Sequence, residues 1–167
     1  MGAPTSRLLQ INIDASFFMN SRSGGWGFIA RDSTGEFMEA GAGPLTHTSS
    51  ALQAEAQAAK CALERVASLG MTRIVLETDA TNLALALQSE EMDQSSNGAL
   101  FKHVRAFMNE NFAQCKITVC PRTCNKMADC LASFGVITAA SGSPCFWRQA
   151  PDFVSALVFD DKPGDGF

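Results

Sequence analysis

The sequence has no apolar run approaching the roughly 20 residues that a helix needs to cross a bilayer, although 46% of its 167 residues are hydrophobic. Its first six residues, Met1 to Ser6, also lack the basic and apolar regions of a secretory signal. We therefore expect an intracellular protein, in the nucleus or the cytoplasm, with no membrane partner. Its apolar residues are numerous enough to bury one sizeable core.

Acidic residues outnumber basic ones, and the formal net charge is −4. Residues 151–167 contain four acids and one Lys, whereas residues 1–150 contain thirteen acids and twelve bases. This balance excludes a broad basic face of the kind that binds nucleic acid tightly and non-specifically. Weaker binding that depends on a bound cation fits the charge, since a metal ion reverses the local potential.

Paired C-x2-C knuckles are absent from the sequence. Four of its six cysteines have the spacing C-x4-C-x3-C-x5-C, at Cys115, Cys120, Cys124 and Cys130. This spacing does not indicate a common zinc site, and we expect reduced cysteines. Histidine is scarce as well: His47 is predicted to lie in a solvated loop, and His103 on the inward face of a helix.

Both strand and helix periodicities are present in the first half of the chain. Residues 9–13 alternate apolar and polar side chains, which is typical of a strand. Residues 32–35 predict a hairpin turn between two further strands. Ser50 and Gln53 have capping-box spacing before an alanine-rich helix that we expect to end at Gly70.

The second half adds crossover elements and gives the order βββαβααβα. Strands are predicted at residues 74–76 and 115–120, and helices at residues 79–87, 99–111 and 125–134. Three antiparallel strands followed by parallel ones, joined by crossover helices, indicate an α/β fold with a mixed sheet.

The chain is predicted to contain one domain. We place a flexible lead-in at residues 1–7, the domain at residues 8–138, and a C-terminal appendage at residues 139–167.

Four acidic residues fall where these elements bring them together. Asp14 and Asp79 end two predicted strands, and this edge of an α/β sheet commonly holds ligands. Glu55 and Asp129 each lie about one turn into a helix. Carboxylates this close repel one another strongly without cations. Each acid alone has an ordinary structural explanation, but the combination favours a nuclease site with two divalent ions.

The segments around the acids resemble ribonuclease H, specifically the plant retroelement type of ribonuclease H-like domain. The matching segments are residues 13–16, 25–32, 52–56, 77–82 and 119–132. The resemblance implies a five-stranded mixed sheet flanked by helices. It implies endonucleolytic cleavage of the RNA strand of RNA–DNA hybrids with two Mg²⁺ ions, Mn²⁺ being a substitute. A reverse transcriptase domain in a longer polyprotein is a further partner that it suggests.

The same resemblance assigns roles to individual residues. Asp14 would bridge both metal ions. Glu55 and Asp79 would complete the site of one ion, and Asp129 would hold the other beside the attacking water. The expected substrate-binding residues are Ser16, Ser50, Arg122 and Asn125.

The sequence departs from the family pattern near the site. Ala15 stands where Gly is common, Ala51 and Leu52 stand where many members have an Asn-Asn pair, and the loop before Asp129 has no His. These departures support an alternative: a domesticated, catalytically weak or silent module that binds nucleic acid or a protein. A related 3′–5′ exonuclease is a further alternative, disfavoured because that group has Asp-x-Glu in its first strand and Ser16 replaces the Glu.

Overall fold

Six strands form one sheet in the computed structural model, which describes residues 7–155. The strands are β1 (Leu8–Phe18), β2 (Ser23–Arg31), β3 (Phe37–Leu45), β4 (Arg73–Thr78), β5 (Gln114–Val119) and β6 (Cys145–Trp147). The helices are α1 (Ala51–Ser68), α2 (Thr81–Gln88), α3 (Gly98–Asn111), α4 (Lys126–Ile137) and α5 (Asp152–Ser155). Residues 1–6 of the expected lead-in and residues 156–167 of the expected appendage lie outside the described residues.

The spatial order of the strands is β5-β4-β1-β2-β3-β6. β1, β2 and β3 pair antiparallel, while β4 pairs parallel with both β1 and β5. The mixed α/β sheet predicted from the sequence is therefore confirmed. The expected number of five strands is wrong, because β6 adds an antiparallel edge strand beside β3.

The extra strand depends on contacts that local sequence does not reveal. Only three residues of β6 pair with β3. The ring of Phe146 lies 6.1 Å from the ring of Trp26 and 6.4 Å from that of Phe28, measured between centroids. These aromatic contacts hold a segment too short to show strand periodicity. Part of the expected appendage thus belongs to the sheet, and the domain boundary at residue 138 stays a prediction.

The sheet separates two apolar clusters. Ile11 and Ile13 belong to the larger cluster, which includes the buried face of α1. Ile29 and Ala42 belong to the smaller cluster, with residues of α4. Because side chains alternate along a strand, Asn12 faces the opposite way from Ile11 and Ile13, toward α4.

The helices begin and end mostly where the sequence predicts. The Ser50 hydroxyl oxygen accepts the backbone N–H of Gln53 at 3.1 Å, which caps α1, and Gly70 follows the helix with a φ of +82°. In α3 the prediction for His103 is wrong, since its side chain is exposed. Phe101 and Val104 supply the buried stripe instead. None of the described helices combines the length and apolar character needed to cross a membrane.

A close approach between β2 and α4 requires glycine. A Cβ atom on Gly27 would lie 2.4 Å from the backbone nitrogen of Ala132, a distance that no real side chain tolerates. Gly27 also pairs with Asp14 across β1 and β2. The glycine therefore lets α4 pack tightly against the strand next to this acid.

Replacing Gly27 with Ala is expected to lower the free energy of unfolding by about 3 kcal/mol, because α4 must move away from the sheet. Gly70→Ala is the matched control: nothing lies within 4 Å of its Cβ position, so only the positive φ is strained, at a cost of about 1 kcal/mol. Urea unfolding of both variants measures the difference. If Gly27→Ala and Gly70→Ala lose the same stability, α4 does not pack closely against Gly27.

Candidate active site

Three carboxylates converge at the edge of the sheet. One oxygen from each of Asp14, Glu55 and Asp79 lies within 4.8 Å of the others. Asp14 is in β1, and Asp79 directly follows β4, which pairs parallel with β1. Glu55 comes from the second turn of α1, which packs on the same strand. The topology alone thus brings together three acids that are distant in sequence.

Local hydrogen bonds order the backbone around these acids. The Ala15 N–H donates to the Asp14 carboxylate at 2.9 Å. Next to Asp79, the Ala80 N–H donates to the hydroxyl oxygen of the buried Thr78 at 3.0 Å. The cap at the start of α1 fixes the helix that presents Glu55. These bonds fix the backbone positions from which the three carboxylates project.

Ionisation of the carboxyl groups is unfavourable in this site. Burial, together with the charge of Asp79, raises the pKa of Asp14 to about 7. Burial, together with the charge of Asp14, raises the pKa of Glu55 to about 9. The Oε2 atom of Glu55 is buried and has no hydrogen-bond partner among residues 7–155. Protons or a cation are needed to relieve this repulsion.

These residues fit a divalent cation. Their donors are all carboxylate oxygens, which hard cations such as Mg²⁺ and Mn²⁺ prefer. The oxygens lie close enough to surround one ion, and the buried Oε2 of Glu55 lacks the partner that an ion would supply. Asp14, Glu55 and Asp79 are therefore the residues that would hold it.

Asp129 lies near this group but not within it. It is exposed in the first turn of α4, where its N–H donates to the carbonyl oxygen of Asn125 at 3.1 Å. Its charge contributes to the raised pKa of Asp14, after burial and Asp79. The fourth expected acid thus lies within electrostatic range of Asp14, on a different element.

The four expected substrate-binding residues have different environments. Arg122 is exposed in the short 3-10 turn before α4, and Ser16 is half-buried in β1. The Ser50 oxygen caps α1, which leaves its hydroxyl proton available to a substrate oxygen. Asn125 is only 1% exposed. Its amide bonds to Asn12 and to the backbone rather than facing solvent.

A buried polar layer that the sequence does not predict lies beneath the acids. The Asn12 oxygen accepts from the Arg31 guanidinium at 3.1 Å. The Asn12 amide nitrogen donates to Glu77 and to Asn125, each at 3.1 Å. The available signal was the alternation of β1, which places Asn12 on the same face as Asp14. That pattern alone suggests a solvent-facing side chain, whereas Asn12 is 2% exposed.

One known protein family matches this chain. The reverse transcriptase-like family matches residues 12–135 of this chain, a segment that includes all four acids. No curated protein matches the chain.

Solved structures of low sequence identity share its fold. The N-terminal RNase H domain of a Mycobacterium tuberculosis protein, solved as a fusion with maltose-binding protein, is 18% identical with a TM-score of 0.71; the match covers 81% of this chain and 98% of that one. RNase H1 from the halophilic archaeon Halobacterium salinarum is 23% identical with a TM-score of 0.64, covering 78% and 98%. LC11-RNase H1, solved in complex with an RNA/DNA hybrid, is 19% identical with a TM-score of 0.71, covering 79% and 99%.

Proposed function

Because this chain belongs to the reverse transcriptase-like family and has the ribonuclease H-like fold, we propose that it hydrolyses the RNA strand of RNA–DNA hybrids endonucleolytically, with bound divalent cations. The observation that supports this most strongly is the convergence of three carboxylate oxygens within 4.8 Å. The RNA/DNA hybrid bound by LC11-RNase H1 supports the substrate class. A reverse transcriptase domain in a longer polyprotein stays our prediction for a partner.

The acids divide between two cation sites in this proposal. Asp14, Glu55 and Asp79 would hold one ion, and Asp14 with Asp129 would hold the second. When bound, two such ions neutralise charge, lower the pKa of water and stabilise the leaving 3′-oxygen. We propose Mg²⁺, with Mn²⁺ as a substitute, because both favour carboxylate oxygens.

The protein's own groups prepare the site for substrate. The raised pKa of Glu55 keeps a proton on its carboxyl group, which donates to Asp14 until a cation displaces it. The exposed Arg122 would contact a phosphate as a fixed positive charge, since its guanidinium does not deprotonate. The hydroxyl groups of Ser16 and Ser50 would donate to substrate oxygens.

A silent binding module is the second candidate function. The 3-10 turn Arg122–Cys124 that leads to α4 contains no His or carboxylate that would transfer a proton. Such a protein would keep the fold and bind nucleic acid or a protein without cutting.

Cleavage of an internally labelled RNA–DNA hybrid tests the proposal. With Mg²⁺ or Mn²⁺, internal cuts are expected in the RNA strand only, and Asp79→Asn is expected to reduce the rate by about 100-fold or more, because one cation site loses a charged ligand. Glu110→Gln, on the exposed side of α3, changes the charge equally and is expected to leave the rate unchanged.

Two results would contradict the proposal. A folded protein that cuts under neither metal supports the silent module. Stepwise trimming from 3′ ends of single strands supports the exonuclease instead.

A further inference from the structure

Asn125 precedes α4 at the N-cap position but does not cap the helix. No side-chain hydrogen bond joins it to the first turn of α4. Its Nδ2 atom donates instead to the carbonyl oxygen of Ile13 at 2.9 Å, and its Oδ1 atom accepts from Asn12 at 3.1 Å. Both ends of the amide therefore join the start of α4 to β1.

The two partners of Asn125 directly precede the central acid of the site, Asp14. Ile13 immediately precedes Asp14, and Asn12 lies two residues before it on the same face of β1. On the other side, the Asn125 carbonyl oxygen accepts the N–H of Asp129 at 3.1 Å. Two side-chain hydrogen bonds and one helical turn thus connect the strand of Asp14 with the carboxylate of Asp129.

Charged neighbours fix the orientation of the Asn12 amide. Its oxygen accepts from Arg31, which is 1% exposed, and its nitrogen donates to the carboxylate of Glu77. A flipped amide would place the NH₂ group against a cation and the oxygen against an anion, which low-dielectric surroundings make costly. Asn12 therefore presents a donor to Asn125 in one fixed direction, anchored on β2, β1 and β4.

We propose that Asn125, held by Asn12, is a positioning residue that sets the place of Asp129 relative to Asp14 and thereby the affinity for the second divalent cation. This inference rests on the proposed function for the identity of the two cation sites. Groups that orient metal ligands without touching the metal typically change affinity by 10–100-fold when they are removed.

Asn125→Ser separates the positioning role from helix stability. Serine is a favoured N-cap residue, so its hydroxyl group can cap α4 while being too short to keep both bonds to β1. The helix is expected to stay folded, and only its link to the strand of Asp14 is lost. Asn125→Ala is a second variant that removes both bonds without offering a new cap.

Electron paramagnetic resonance measures Mn²⁺ binding and tests the inference. The measurement is made on the full chain alone and on the full chain with an uncleavable hybrid of DNA and 2′-O-methyl RNA. Asn125→Ser is expected to weaken the same Mn²⁺ site that Asp129→Asn weakens, by about 10–100-fold. The site that Asp79→Asn weakens is expected to change by no more than about twofold, because two of its three ligands, Glu55 and Asp79, come from α1 and the end of β4, whereas the Asn125 amide bonds to β1.

Val66→Ala is the control for a general loss of stability. Val66 is fully buried near the C-terminal end of α1, and its truncation is expected to lower the melting temperature without changing either Mn²⁺ site. The inference is overturned if Asn125→Ser binds both Mn²⁺ ions as the unaltered chain does, if it weakens both sites equally, or if the unaltered chain binds only one ion. A chain that binds two ions but does not cut hybrids contradicts the proposed function alone, since this readout needs no cleavage.

Discussion

Replacing Asp14 with Asn is expected to abolish metal-dependent cleavage and, at the same time, to stabilise the metal-free protein. Asp14 is the acid shared by both proposed cation sites, so losing its charge should reduce the rate by about 100-fold or more. Without cations, the same charge is buried beside Glu55 and Asp79 and opposes folding. Its removal is expected to raise the free energy of unfolding by on the order of 1–3 kcal/mol.

The local structure around position 14 should tolerate this change. Asn has the same shape as Asp, and its amide oxygen can accept the N–H of Ala15, which now donates to the Asp14 carboxylate at 2.9 Å. The same oxygen can accept the proton of the Glu55 carboxyl group. Because the nearest like charge is gone, the pKa of Glu55 should fall toward its ordinary range.

Urea unfolding with and without Mg²⁺, paired with the hybrid cleavage assay, measures both effects. Asp129→Asn is the matched control. It should also impair cleavage, but it should stabilise the metal-free protein little, because the Asp129 carboxylate is exposed and repels the other acids only weakly. A metal-free Asp14→Asn protein that is less stable than the unaltered chain would contradict the argument. So would cleavage that still depends on Mg²⁺.

The three-acid group was accessible from sequence because its geometry follows from simple periodicities. The alternation of β1 and the apolar run of β4 place Asp14 and Asp79 at one sheet edge once the strands are parallel neighbours. The cap at Ser50 fixes the start of α1 and so the turn that presents Glu55. Each of these signals is local, and the pairing of the strands and the packing of α1 on the sheet had to be assumed.

The parts that were missed depend on contacts between distant segments. Phe146 of β6 packs against the rings of Trp26 and Phe28, which are distant from it in sequence. Asn12 looks like a solvent-facing residue of an alternating strand until α4 covers it. Asn125 is predicted to bind substrate, and the hydrogen bonds that its amide makes to β1 likewise could not be predicted from local sequence. Periodicity separates the two faces of an element but does not identify what covers them.

The metal-free protein is also expected to lose stability as the pH rises from about 5 to about 9. The pKa values of Asp14 and Glu55 are raised in the folded state, to about 7 and about 9, so the folded chain holds protons that the unfolded chain has already released. Stability is therefore full below the unfolded pKa values and is lost as the pH passes through the folded ones. The expected loss is on the order of a few kcal/mol.

Mg²⁺ is expected to reverse this trend, because an ion binds the deprotonated carboxylates and displaces their protons. The increase in melting temperature caused by Mg²⁺ should be larger at about pH 9 than at about pH 6. Glu55→Gln provides the control, since an amide at this position cannot titrate and should flatten the metal-free profile at the alkaline end. Metal-free stability that stays constant or rises between these two pH values would show that the carboxylates are already ionised without a cation, and that the site does not need one to relieve its charge.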